Sequence, residues 1–328
     1  MKNLTLHTPE GVRDIYNSEY ERKLDALYKL RKVISSYGYT PISTPTFEYF
    51  DTFSKEVGTC ASNEMFKFFD RDGNTLVLRP DITPSVARAA AMYFGDSDSP
   101  VKLSYEGNVF INYHSLQGRL KESTQAGCEY IGDCRIEADA EILTIVVRSL
   151  LELGLKNFDI GVGHIDVVRG LIEACNLDSD CEEKLLDLIA NKNFFGAKEL
   201  LLNKNVSKEL VELFDLTGKI MNSPDEWAEF IEKSKMVPKV YKSLSYLNDL
   251  YSLLEKNGVT DFVSFELGMI SEYKYYTGVI FSGYTYGTGE PIVKGGRYDT
   301  LLSHFGKDAP AIGFAITVDQ LMLALERQ

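Results

Sequence analysis

The hydrophobic pattern changes period several times along the chain. Tyr20, Leu24, Leu27, Leu30 and Ile34 recur at helical spacing behind Ser18 and Glu21, a pair that predicts a capping box for a first helix ended by Gly38. YTPISTPTFEYF follows, with Pro41 and Pro45 among β-branched residues. Proline cannot donate to a central ladder, so the segment reads as extended chain at a sheet edge and suits a dimer seam. MFKFFDRDGNTLVLR places two short apolar runs around Asp72-Gly73, a hairpin signal. Thr83 and Pro84 stand as N-cap and first residue of a helix through Val86, Arg88 and Met92. VKLSYEGNVFI and ESTQAGCEYIG predict two long antiparallel strands joined by the polar NYHSLQGRLK. Ala138 to Leu153, stopped by Gly154, predicts another helix, and Phe158, Ile160 and Val162 then alternate as a half-buried strand.

From 166 to 256 leucine, lysine and glutamate at helical spacing dominate, which predicts a helical insertion subdomain between core segments 1–165 and 257–328. Strand chemistry returns in ELGMISEYKYYTGVIFSGYTYGTGEPIVKGGRYD, with a turn over Gly287 to Gly289. AIGFAITVDQLMLALERQ closes as strand then helix. Strands and helices in separate blocks, with frequent hairpins, argue for an α+β fold with a mainly antiparallel sheet.

Composition removes several function classes. With 44% apolar and 25% charged residues the chain is neither disordered nor fibrous. Lys plus Arg number 35 against 48 Asp plus Glu, a net charge of −13 that speaks against nucleic acid as a partner. The chain has no apolar run of membrane-spanning length, and MKNLTLHTPEGVRDIY lacks a signal-peptide pattern, so no membrane association and a cytoplasmic location are expected. Five scattered cysteines without CxxC pairs read as small buried hydrophobes. The four histidines show neither HExxH spacing nor a GxSxG serine nearby. His164, continuing the parity of Phe158, Ile160 and Val162, reads as a hydrogen-bonded histidine at the core edge. GYTYGTGEP and KGGRYD match no phosphate-binding motif and read as turns. DSDS at 96–99 and LDSDCEE near 180 lack the EF-hand glycine and glutamate and read as solvated turns and helix starts. No metal and no cofactor are expected.

ESTQAGCEYIG carries the informative pattern. Alternation puts Ser123, Gln125, Gly127, Glu129 and Ile131 on one face. Glutamate is rarely buried without a partner, and a strand glycine often marks the close approach of a ligand, so this face reads as a pocket floor. A simply wet sheet face explains the same spacing, and spacing alone leaves both readings open.

In order, TPEGVRD, TPTFEYF, LRPDITPSVAR, EGNVF, QAGCE, YYTGVIF, GGRYD and AIGFAI resemble the catalytic domain of histidyl-tRNA synthetases over nearly the whole chain. TPTFE resembles class II motif 1, the VKLSYEGNVF to TQAGCEYIG hairpin motif 2, and PAIGFAITVDQLMLAL motif 3. The resemblance implies a class II aminoacyl-tRNA synthetase-like core, a mainly antiparallel sheet flanked by helices, dimerising through motif 1. Three arginines of the synthetase pattern are replaced. Motif 2's Phe-Arg-x-Glu is here Phe110, Ile111, Asn112, Tyr113; motif 3's arginine falls at Gln320; that of the first histidine motif falls at Ser271, followed by Glu272. Adenylate formation needs guanidinium groups to neutralise phosphate charge, so these departures argue against it. Arg119 and Lys121 still leave positive charge in the motif 2 loop. The chain ends at Gln328 within the motif 3 helix, so no anticodon-binding domain is expected.

Regulatory subunits of ATP phosphoribosyltransferase combine these features, and the chain resembles them. This implies a non-catalytic subunit that joins the short-form catalytic subunit for the first step of histidine biosynthesis and binds histidine for feedback inhibition. It implies that Asp81, Thr83 and Gln125 hold the ammonium of a bound histidine while Glu129 and Tyr276 grip the imidazole. Asp81 stands where the synthetases usually have glutamate. Arg119, Tyr275, Arg297 and Tyr298 are further pocket candidates, the last three with a structural role as the alternative. Two other readings stay open: an adenylating enzyme that uses Arg119 and Lys121, and a synthetase-like adaptor of another complex.

Overall fold

The computed structural model describes residues 6–53, 60–95, 97, 99–114, 119–271 and 273–328. Residues 96 and 98 of the DSDS stretch, 115–118 of the motif 2 loop, and Glu272 lie outside the described residues. The first helix, α1 (Asn17–Ser36), buries Lys23, Ala26, Leu30 and Ile34 and leaves Tyr20 and Leu24 exposed. It begins one residue before Ser18, and no side chain caps it. The capping box is therefore absent, because Ser18 lies inside the first turn rather than at the flanking position from which a hydroxyl reaches an orphan N–H.

β1 (Thr40–Pro41) and β2 (Phe47–Tyr49) come from the proline-bearing segment, and β3 (Lys67–Phe69) and β4 (Thr75–Leu78) form the expected hairpin. Its turn places Gly73 at φ +84°, a left-handed conformation that glycine adopts without strain. β2, β4 and β3 make a small antiparallel sheet. In α2 (Thr83–Tyr93) Thr83 is the first helical residue, not the cap, so its hydroxyl is released for a contact described below. β5 (Val101–Phe110) and β6 (Glu122–Ile131) pair antiparallel from Val101↔Ile131 to Phe110↔Glu122, as their long apolar runs predict. α3 (Ile136–Glu152) and β7 (Phe158–His164) follow.

Residues after β7 fold as α4 (Ile165–Cys175), α5 (Ser179–Ala190), α6 (Phe194–Asn203), α7 (Lys208–Thr217), β8 (Ile220–Met221), α8 (Pro224–Ser234) and α9 (Pro238–Lys256). Their core is continuous with that of the sheet. Trp227, Phe230 and Leu247 join one cluster with Ile160, Phe265 and Phe281. His164 caps α4, its Nδ1 accepting from the Asp166 N–H at 3.2 Å. Burial pushes its pKa down to about 4, so it stays neutral, as a core-edge histidine should. Asp178 caps α5 by accepting from the Cys181 N–H, so the acidic run there is a helix start. β9 (Val263–Glu266), β10 (Val279–Thr285), β11 (Val293–Arg297), β12 (Ala311–Thr317) and α10 (Val318–Arg327) complete the fold.

The main sheet runs β1-β5-β6-β12-β11-β10-β7-β9-β8, and among these neighbours β1–β5 and β7–β9 are parallel and the rest antiparallel. Period-2 alternation gives it two different faces. Ala126, Cys128, Ile312, Phe314, Val279, Phe281 and Val293 point to the large core with α3 and α9. Gln125, Glu129, Gly313, Ala315 and Lys294 point the other way, toward a cavity. KGGR is thus strand and not turn: glycines are needed at 295 and 296 because a Cβ there would run into the Phe281 and Tyr276 rings. Cys128 and Cys181 are buried, but Cys134 is exposed, against the expectation that all five cysteines pack inside. Among the described residues, no helix is long and apolar enough to cross a membrane.

Candidate functional site

The cavity, about 360 Å³, lies on the sheet face opposite the large core, between β6, β12 and β11 and the loops after β4 and β9. That volume suits a metabolite of amino-acid size. Asp81 reaches it because the preceding turn is clamped: Arg79 donates from Nε to the Asn108 carbonyl and from Nη1 to the Thr44 carbonyl, both at 2.8 Å. The clamp needs Gly107, whose position would otherwise place a Cβ against the Arg79 guanidinium. Asp81 then accepts from the Ile82 N–H at 2.8 Å and from the Tyr275 hydroxyl at 3.5 Å.

Glu129 is fully buried. Its Oε1 accepts from the Thr83 hydroxyl at 2.7 Å, and its Oε2 from the Tyr298 hydroxyl at 2.5 Å. Burial drives its pKa up to about 8 despite those two donors, and the nearby Asp81 charge adds to the rise. Burial raises the Asp81 pKa as well. Among the described residues neither carboxylate is in an ion pair. Gln125 offers a buried Oε1 with no donor bonded to it. Tyr273, Tyr275, Tyr276 and Tyr298 form the wall: the rings of Tyr273 and Tyr275 stack at 5.5 Å, and Tyr276 and Tyr298 meet Tyr275 edge-on.

Asp81, Thr83, Gln125, Glu129 and Tyr276 therefore meet around one cavity, with Arg119, Tyr275 and Tyr298. Two expectations need correction. Arg297 is outside the lining, because strand parity turns it to the opposite face, where its Nε donates to Asp139 at 3.0 Å and its Nη1 to the Asp133 carbonyl at 3.1 Å. Gly127 makes room for the ring of Tyr105, its cross-strand partner on the same face, and for the Phe314 carbonyl, not for a ligand. Thr83 bonds Glu129, which leaves Asp81 and Gln125 as the acceptors not bound to another cavity side chain's hydroxyl save for the long Tyr275 contact.

Of the altered synthetase positions, Ile111, Tyr113 and Gln320 line the cavity and Ser271 does not; its hydroxyl accepts from the Tyr273 N–H. Arg119 keeps its charge near the cavity but pairs with Glu290 at 2.5 Å and lies over the Tyr113 ring. Lys121 is not in the lining; its stem packs against Gly11. The motif reading missed Lys294, which does line the cavity. A lone charge between a buried valine and paired glycines was the available signal.

A family model described as histidyl-tRNA synthetase matches residues 11–321. An ATP phosphoribosyltransferase regulatory subunit of Acetivibrio thermocellus is 40% identical over 100% of this chain and 78% of its own length. The chain belongs to the ATP phosphoribosyltransferase regulatory-subunit family. The regulatory subunit of Ruminiclostridium cellulolyticum is 39% identical with the same coverage. A crystal structure titled as an ATP phosphoribosyltransferase regulatory subunit/histidyl-tRNA synthetase from Bacillus halodurans C superposes with a TM-score of 0.89 at 33% identity, covering 99% of this chain and 84% of that one. Histidyl-tRNA synthetase from Nostoc sp. PCC 7120, 22% identical with a TM-score of 0.81, shares the fold. The regulatory-subunit family thus keeps a class II synthetase-like architecture, and in this member the aliphatic Ile111, the phenol of Tyr113 and the amide of Gln320 line the cavity.

Proposed function

We propose that this regulatory subunit is a histidine sensor that joins the short-form catalytic subunit of ATP phosphoribosyltransferase and carries feedback inhibition to it. One observation supports this above the others: two buried carboxylates, Asp81 and Glu129, face the cavity without an ion-pair partner among the described residues. An uncompensated buried carboxylate is costly, and a ligand rich in N–H donors offsets that cost on binding. Histidine supplies an ammonium for Asp81 and Gln125 and a ring N–H for Glu129. ATP is a poor fit, because among the described residues the one lining arginine pairs with Glu290, Lys294 is the single cation left, and polyphosphate would meet the Asp81 and Glu129 carboxyl groups. Bound histidine inhibits the partner only to the extent that it favours a less active assembly state, a coupling of about 1–3 kcal/mol in typical cases.

Phe47 and Tyr49 on β2 and Phe69 on β3 stand exposed, which supports a homodimer seam at the motif 1 region. Reconstitution with a short-form catalytic subunit tests the reading. Phosphoribosyl-ATP formation should require both chains and fall as histidine is added. Histidine-dependent ATP–pyrophosphate exchange by this chain alone would replace the sensor with an adenylating enzyme.

A further inference from the structure

We propose that Lys294 receives the α-carboxylate of the bound amino acid and makes the site selective for free carboxylate. The proposal rests on the histidine-sensor reading and supplies a cationic anchor that reading lacks: Asp81 and Glu129 are carboxyl groups, Gln125 turns a bare Oε1 acceptor to the ammonium, and Ser271 lies outside the cavity.

β11 buries Val293, Gly295, Gly296 and Arg297 and exposes Lys294 alone. Register places it. Glu129, Gly313 and Gly296 form one cross-strand row of the floor, and Gly127, Ala315 and Lys294 form the next. Lys294 is two strands across from Glu129 and one pleat repeat along, so their Cα atoms are about 12 Å apart from strand spacing and rise. A histidine with its ring at Glu129 spans part of that gap, and the lysine stem covers the rest.

Charge completes the argument. An α-amino acid carries ammonium and carboxylate on one carbon, so its site needs an acidic and a basic side chain close together. Lys294 acts electrostatically on Asp81, favouring its charged form against burial, which puts the two in each other's field. Arg119, the other lining cation, is already taken by Glu290. Lys294 has no carboxylate partner among the described residues; its Nζ stands 5.6 Å from the Tyr273 ring centroid, a contact that orients an ammonium without neutralising it.

Calorimetric titration of the full chain with L-histidine and with L-histidinol, which has a hydroxymethyl group for the carboxylate, tests this in wild type, K294M and K294R. Loss of one charge-assisted hydrogen bond should weaken L-histidine binding to K294M about 10- to 100-fold. L-histidinol should stay within about twofold, as for substitutions that remove no contact, and K294R should keep the preference for L-histidine. K294M that binds both ligands like wild type, or weakens both equally, overturns the carboxylate contact. Wild type that binds no L-histidine overturns the sensor reading itself, a distinct result.

Discussion

Two buried carboxylates on opposite faces of one sheet are given different partners. Asp139, on α3 against the helix-covered face, is held by the Arg297 guanidinium and accepts from the Tyr246 hydroxyl at 2.6 Å. Burial works against the arginine's charge, but Asp139 outweighs it and holds the Arg297 pKa above its ordinary value. Burial raises the Asp139 pKa as well. Glu129, on the cavity face, has neutral hydroxyls, those of Thr83 and Tyr298 among them, in place of a guanidinium, and burial drives its pKa up to about 8. A buried acid with a built-in cation serves the scaffold; a buried acid without one is open to a donor that arrives from outside.

Separating the two by mutation gives the largest expected effect. Arg297→Met strands the Asp139 charge in the core and should cost about 3–5 kcal/mol in urea unfolding. Adding Asp139→Asn should return most of the loss. A single-variant loss below about 1 kcal/mol would put the pair among weak surface contacts and end the distinction. Glu129→Gln should behave in reverse, keeping the fold while weakening histidine binding about 10- to 100-fold by calorimetry.

The same variant sharpens the comparison through pH. Glu129 holds its proton to about pH 8 when folded, against an ordinary carboxyl value of 4.5. Below 4.5 both states are protonated and its contribution is complete. Between 4.5 and 8 the unfolded chain sheds the proton that the folded chain keeps, so stability falls as pH rises, by at most about 1.4 kcal/mol per unit from this group. Wild type without ligand should therefore lose urea resistance from pH 5 to 8 more steeply than Glu129→Gln. Equal slopes would mean that Glu129 is already ionised.

The cavity floor was legible because strand parity is rigid: once ESTQAGCEYIG is a strand, Gln125 and Glu129 must share a face. Parity also explains where reading by motif failed. GGRYD suggested a pocket role for Arg297, yet residue 297 has the parity of Val293 and points into the core. The glycines misled for a related reason, since a missing side chain signals close approach without saying of what: Tyr105 at Gly127, Phe281 and Tyr276 in β11. Helix caps failed by two residues at Ser18 and by one at Thr83, because a cap is fixed by backbone geometry that neighbouring contacts shift. Lys294 carries no motif signature, and its place at the cavity emerges from register.

Smaller effects come from the cavity walls. Gly313→Ala places a methyl where the Glu129 carboxylate sits, so histidine affinity should fall with stability, by about 1–3 kcal/mol for overpacking of a filled site. Parallel losses in calorimetry and urea unfolding would mark the glycine as the seat of Glu129; a variant that binds histidine normally would show that the carboxylate can swing away.

The least should come from Arg119→Gln. Arg119 and Glu290 are both substantially exposed, with 47% and 38% of side-chain surface accessible, and such pairs contribute about 0–1 kcal/mol. Stability and histidine affinity should scarcely move, since the guanidinium is bound to Glu290 and the Tyr113 ring rather than to anything on the cavity floor. The outcome separates the two cations that the cavity retains. If Arg119→Gln weakens histidine as strongly as Lys294→Met, the Glu290 pair opens on binding and Arg119 takes part in recognition. If Lys294→Met alone is affected, recognition is confined to the sheet, and the loop arginine is left from a chemistry that Ile111 and Gln320 no longer support.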